Sequence, residues 1–194
     1  MARSARKLAV PDVAESLGLT YRKKSDREFV KSYGDLPGIR SSGSVMHLLT
    51  GELDERLVTI FQHTYMIYTP QAPVPIIHSV YAVEGPQWPM LRVAPRPFWA
   101  RLARRLGWRA GMELDLPQFN AAFKVTTDDE DFALTLLCPE MQHFMMDKRN
   151  VRWYVGRGRV CLIYSGPLKP PRITESLDRL RRFWSLVPPE LEAW

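Results

Sequence analysis

The apolar residues of this chain change period several times, and each change predicts an element. Phe119, Ala121, Phe123 and Val125 alternate with Asn120, Ala122, Lys124 and Thr126, the two-residue period of a strand with one buried face. Beyond Thr127 the period becomes helical. Thr127 and Glu130 stand at capping-box spacing, in which a hydroxyl and a carboxylate take up backbone N–H groups that a helix start leaves unpaired. The helix predicted there breaks near Cys138, because Pro139 removes a helical hydrogen bond, and it resumes to about Asp147.

Upstream, residues 45–50 and 56–68 are rich in β-branched and aromatic side chains and flank a polar turn at 51–55, which predicts a hairpin. Pro70, Pro73 and Pro75 predict a loop over 69–75, since proline cannot donate to a sheet ladder. A third strand at 76–83 and a short fourth at 90–93 follow. The clearest hairpin joins 151–155 to 159–164 through Gly156-Arg157-Gly158, where glycine tolerates the positive φ of a tight turn. Trp153 and Cys161 are expected to point inward from its opposite arms. Thr174 is expected to cap a last helix, with Leu177, Leu180, Trp184 and Val187 as its apolar stripe.

Pro11 and Gly18 bound a short helix near the N-terminus, and the charged segment 21–31 reads as chain wrapping the surface. The boundary expected is a charged N-terminal arm over 1–40 and a single domain over 41–194. The fold class is α+β. An antiparallel sheet, flat or curled toward a half-barrel, carries a kinked helix near 128–147 and a C-terminal helix near 174–187.

Length and composition agree with a folded chain: 194 residues, 45% hydrophobic, enough for a real core. No run approaches the ~18 consecutive apolar residues of a membrane span, and MARSARKLAV lacks the apolar segment of a signal peptide. A soluble, cytoplasmic protein, or one peripheral to a membrane, is expected. Cys138 and Cys161 do not suggest a disulfide framework.

The net charge of +6 is segregated. Arginines without acids run from Arg92 to Arg109, and a segment dominated by acids follows as far as Asp147. Opposed blocks can face each other, so the excess does not by itself call for nucleic acid. Within the basic block, Pro97 opens a short helix that places Phe98, Leu102 and Leu106 on one stripe. Trp99, Arg101, Arg104, Arg105, Trp108 and Arg109 lie on or beside it, and arginine interleaved with tryptophan suits contact with an anionic surface. These six are the candidate contact residues.

Tests for other chemistry give little. His47, His63 and His78 fall on three successive predicted strands and form a metal site only if the registers put them on one face. Asp128 to Asp131 lack the spacing of a calcium loop and suit the positive end of a helix dipole. Cys138 and His143 are too awkwardly separated across Pro139 to be read as a nucleophile and base. No catalytic motif, cofactor or metal set is predicted.

The order of elements resembles a bacterial family of proteins of unknown function. The likeness rests on Phe61 and Tyr65, on Leu106-Gly107, on Phe119, Asn120, Phe123 and Val125, on the acidic start at 128–131 and on the step from Pro139 to Met141. It covers residues 43–187, ending in a hairpin and a helix. The resemblance implies a strand-rich domain and brings no activity, cofactor or site residue. Many relatives look membrane-anchored through an apolar N-terminal segment, where this chain has a charged arm.

The function expected is therefore a non-catalytic binding or scaffolding domain with a protein partner. The alternatives are an enzyme whose site assembles only in three dimensions, and a nucleic-acid-binding domain. An anionic membrane surface is the other partner the basic block would suit.

Overall fold

The computed structural model describes residues 9–97 and 112–194. The fold is α+β, with eight antiparallel strands in one open sheet, ordered β1 (Thr20–Lys24), β2 (Ser44–Leu53), β3 (Arg56–Tyr68), β4 (Pro73–Glu84), β8 (Arg159–Ser165), β7 (Arg152–Gly156), β5 (Leu91–Pro95) and β6 (Phe123–Thr127). The chain divides into two compact units, Met1–Tyr81 with Ser165–Asp178 and Ala82–Tyr164 with Arg179–Trp194.

In the first unit, helix α1 (Val10–Ser16) has Pro11 in its first turn and ends before Gly18, whose φ is +67°. The charged segment does not wrap the surface. Residues Thr20–Lys24 form edge strand β1, paired with β2 (Ser44–Leu53) at Tyr21↔Leu49, and Arg27–Ser32 form α2. Exposed Arg22, Lys23 and Lys24 suit an edge, where charge deters further strand pairing. Asp26 caps α2 by accepting the Phe29 N–H at 2.8 Å. Phe29 and Tyr33 then pack on Phe61, with ring centroids 5.2 and 4.9 Å apart.

The predicted hairpin is present as β2 and β3 (Arg56–Tyr68), closed more tightly than expected. Asp54 and Glu55 both have positive φ, 50° and 65°, the geometry of a two-residue turn matched to strand twist. Strand β4 (Pro73–Glu84) begins earlier than its prolines suggest. The Ile77 carbonyl accepts the Gly166 N–H at 2.8 Å, so the N-side of every second residue before Ile77 faces β8 (Arg159–Ser165). That strand has ended by then. The donors that Pro73 and Pro75 lack are therefore not needed.

In the second unit, β5 (Leu91–Pro95) lies between β6 (Phe123–Thr127) and β7 (Arg152–Gly156). The alternation beginning at Phe119 is only partly a strand. Pro117–Ala122 form helix α3, with Phe119, Asn120 and Ala122 buried and Ala121 exposed. The strand reading required the reverse for Ala121 and Ala122. Proline at the first helical turn accounts for the difference, and the Phe119 and Phe123 rings pack at a tilt, centroids 4.9 Å apart, where α3 passes into β6.

Asp129, not Thr127, caps α4 (Glu130–Leu136), accepting the Phe132 N–H at 2.8 Å. The Thr127 hydroxyl accepts the Asp129 N–H at 3.0 Å, and its one proton is shared between the carbonyls of Met90 at 2.9 Å, which ties the joint to the sheet, and Asp129 at 2.8 Å. The break at Cys138 is present, and α5 spans Pro139–Met146. The last helix, α6 (Pro170–Ser185), starts four residues before the expected Thr174 cap, again at proline.

The β7–β8 hairpin matches the sequence reading, with Arg157 and Gly158 at φ 50° and 69°. Trp153 pairs with Leu162 and Tyr154 with Cys161, so Trp153 and Cys161 occupy opposite faces rather than one. All four are buried. A hairpin covered on both faces gives a continuous apolar run, which conceals which residues share a side. Phe144 of α5 and Phe183 of α6 cover the Trp153 ring at 5.7 and 5.4 Å.

Candidate functional site

The six candidate contact residues, Trp99, Arg101, Arg104, Arg105, Trp108 and Arg109, lie outside the described residues. Arg96, from the same basic block, has a structural role. It is buried, and its Nε donates to the carbonyls of Asn120 and Phe123 at 3.0 and 2.7 Å, where α3 passes into β6.

The three strand histidines separate into two environments. The β2–β3 pairing slips between Met46 and Leu49, so two residues of β2 face one of β3 in a bulge. His47 sits in that bulge at φ 51° and shares a 2.8 Å hydrogen bond with the Tyr21 hydroxyl. His63 and His78 instead flank Tyr65, with centroids 5.7 and 6.2 Å from its ring. His63 is fully buried; its Nε2–H donates to the Arg40 carbonyl at 3.0 Å, and its Nδ1 has no partner among the described residues. Burial pulls its pKa down from 6.5 against the opposing pull of the Arg40 carbonyl. Among the described residues, no group of three or more His, Cys, Asp or Glu side chains could hold a metal ion.

A cleft of about 460 Å³ opens in the second unit, and three short segments build it. The first wall is Leu114 and Asp115. Asn120 fixes it from α3: its Oδ1 accepts the Leu114 N–H at 3.0 Å and its Nδ2 donates to the Leu114 carbonyl at 2.6 Å. The second wall is the α4–α5 joint, where Leu134, Thr135, Leu137, Cys138, Pro139 and Gln142 line the space. The third is the C-terminal segment, with Pro188, Glu190 and Trp194. Trp88 holds that segment through a 3.2 Å hydrogen bond from its Nε1–H to the Leu191 carbonyl, and Phe132 lies 5.8 Å from Trp194.

Gln142 is a polar residue of the lining that is itself buried, only 1% exposed. Its Nε2 donates to the Leu137 carbonyl at 2.7 Å, at the end of α4, which orients the amide. Its Oε1 is buried with no hydrogen-bond partner among the described residues. Leaving such an acceptor dry costs roughly 1–3 kcal/mol, so a ligand that brings a donor gains more there than on the surface. Half-exposed Leu134 and Trp194 offer apolar contact, while the exposed carboxylates of Asp115 and Glu190 add acceptors and disfavour an anion.

Gln142 escaped the sequence reading, although a polar residue between Met141 and Met145 on a helix restarted by Pro139 was its signal. Cys138 lines the cleft and is a free, half-buried thiol. His143 is exposed and directs Nδ1 to the Pro139 carbonyl at 2.7 Å, while the acids at 128–131 cap and flank the start of α4.

No protein-family model and no curated protein matches this chain. Among solved structures, the crystal structure of the mycobacterial trehalose monomycolate transport factor A is similar to it, with a TM-score of 0.59 over 93% of this chain and 94% of that one. The sequence identity is 11%, so what the two share is the fold.

Proposed function

We propose that this chain is a non-catalytic binding or scaffolding domain that holds a neutral, hydroxylated ligand with an apolar body in the cleft of its second unit. The observation that carries the reading is the buried, unpartnered Oε1 of Gln142, a residue that lines a cleft whose other lining residues include apolar side chains and two exposed carboxylates. Once a neighbouring side chain moves aside to uncover that oxygen, a hydroxyl can donate to it, further hydroxyls can donate to Asp115 and Glu190, and an apolar body can lie on Leu134 and Trp194. The structurally similar protein is named a transport factor, and a role in transport suits a domain that binds and releases without changing what it binds. The basic block from Trp99 to Arg109 is the proposed contact with a partner's anionic surface.

The test is a titration with an alkyl glycoside, a sugar head on an apolar chain, below its critical micelle concentration. Saturable one-to-one binding, with the glycoside recovered intact, is expected. No saturable binding would remove the ligand site, and a chemically altered glycoside would make the chain an enzyme.

A further inference from the structure

The pairing register leaves a ribbon of the first unit without sheet on either side. Strand β2 begins opposite Thr64, at Ser44, whereas β3 continues to Tyr68, about 14 Å farther at ~3.4 Å per residue. On the other strand, Gly166, the residue after β8 ends, meets Ile77, and β4 runs back to Pro73. Residues 64–77, TYMIYTPQAPVPII, contain no charged side chain. Met66, Ile67, Tyr68 and Val74 are exposed, Tyr68 by 81%. Successive residues of a strand face opposite sides, so both faces of the ribbon are apolar and open.

The base of the ribbon has the opposite character. Lys24 of β1 is in register with Met46, and Met46 with Gln62, which sets exposed Arg22, Lys23 and Lys24 beside the point where β3 leaves the sheet. Exposed Arg40 lies with its guanidinium 4.6 Å from the Tyr65 ring centroid. Asp26, Glu28 and Asp35 are the acids nearby in sequence, and Arg27 and Lys31 of α2 offset the first two.

We propose that this ribbon is a membrane-interface anchor, inserting among the lipids of an anionic bilayer while the basic residues at its base meet the headgroups. Three features favour a bilayer over a protein groove: the absence of charge over the whole overhang, apolar side chains on both faces, and the basic collar. A flat protein surface would cover one face only. The open strand edges limit the depth, because unpaired backbone groups are not tolerated in the hydrocarbon core. The tip therefore rests at the headgroup–acyl boundary, about 5–10 Å in, with Tyr68 at the level aromatic rings prefer.

The experiment is co-sedimentation of the full chain with phosphatidylcholine vesicles containing one-third phosphatidylglycerol, at low and high salt, with hydrogen exchange of peptides covering 64–77. Expected are partition weakened by salt and protection of 64–77 on the vesicles. Tyr68→Glu and Met66→Glu, both at exposed positions, should each cut partition tenfold or more with thermal melting unchanged. Lys23→Glu with Lys24→Glu should remove most of the salt-sensitive part. Vesicle binding that survives both tip variants, or protection outside 64–77 alone, would assign the contact to the basic block and overturn the proposal. So would a dimer in solution that Tyr68→Glu dissociates, because the ribbon would then dock on protein.

Discussion

Replacing Asn120 tests whether the first cleft wall is held as described. Asn120→Ala removes two buried hydrogen bonds, to the N–H and the carbonyl of Leu114. Leu114 is only 7% exposed, so both backbone groups lose their partner away from water. Each bond contributes about 1 kcal/mol and each stranded group costs a further fraction of the 1–3 kcal/mol desolvation range, which gives a loss of about 3 kcal/mol. For a chain of 194 residues, that is a fall in melting temperature of roughly 6–12 °C. Asn120→Asp sharpens the test: it keeps the acceptor for the Leu114 N–H and sets a carboxylate oxygen against the Leu114 carbonyl. That variant should be at least as unstable as Asn120→Ala at neutral pH and should recover as acid restores a donor. Urea unfolding followed by tryptophan fluorescence measures both. A loss under about 1 kcal/mol, with no recovery of the aspartate variant in acid, would refute the role given to Asn120.

Other expectations follow from single contacts. Burial holds the His63 pKa below its unfolded value of 6.5, so its contribution is fully present above 6.5 and is lost as pH falls through the folded pKa. Urea midpoints should therefore be flat above neutrality and fall in mild acid, and His63→Gln should flatten that fall; equal slopes for both proteins would contradict it. A Cβ on Gly43 would meet the His63 ring and the Thr64 carbonyl, so Gly43→Ala should destabilise by about 1–3 kcal/mol in the same assay through overpacking. Asp129→Ala removes the α4 cap and should cost about 1 kcal/mol, whereas Thr127→Val should loosen the joint through Met90 rather than the helix start, seen as faster hydrogen exchange at Asp129.

Much of the fold was legible because local chemistry and tertiary structure agree. The hairpins at 44–68 and 152–165, the break at Pro139 and the last helix all carry turn, proline or stripe signals that packing reinforces. Misreadings fell where two signals compete. Phe119 to Val125 carry a strand period directly behind a helix-starting proline, and Pro117 decides in favour of the helix up to Ala122. Thr127 and Asp129 both offer a capping oxygen, and the hydroxyl is taken up by the carbonyls of Asp129 and of Met90, the latter a partner 37 positions away that sequence cannot place. The cleft was illegible for the same reason: its walls come from 114–115, 134–142 and 188–194. The charge-free run at 64–77 was visible, but its overhang depends on where β2 and β8 stop.

Whether Gln142 Oε1 anchors a ligand is decided by isothermal titration of an alkyl glycoside into the native chain and into Gln142→Met. Methionine nearly conserves volume and removes an unpartnered acceptor, a gain that offsets losing the bond to the Leu137 carbonyl. Stability should therefore stay within about 1 kcal/mol while binding weakens about fivefold to tenfold. Equal affinity for the two proteins, at equal stability, would contradict the anchoring role of Gln142.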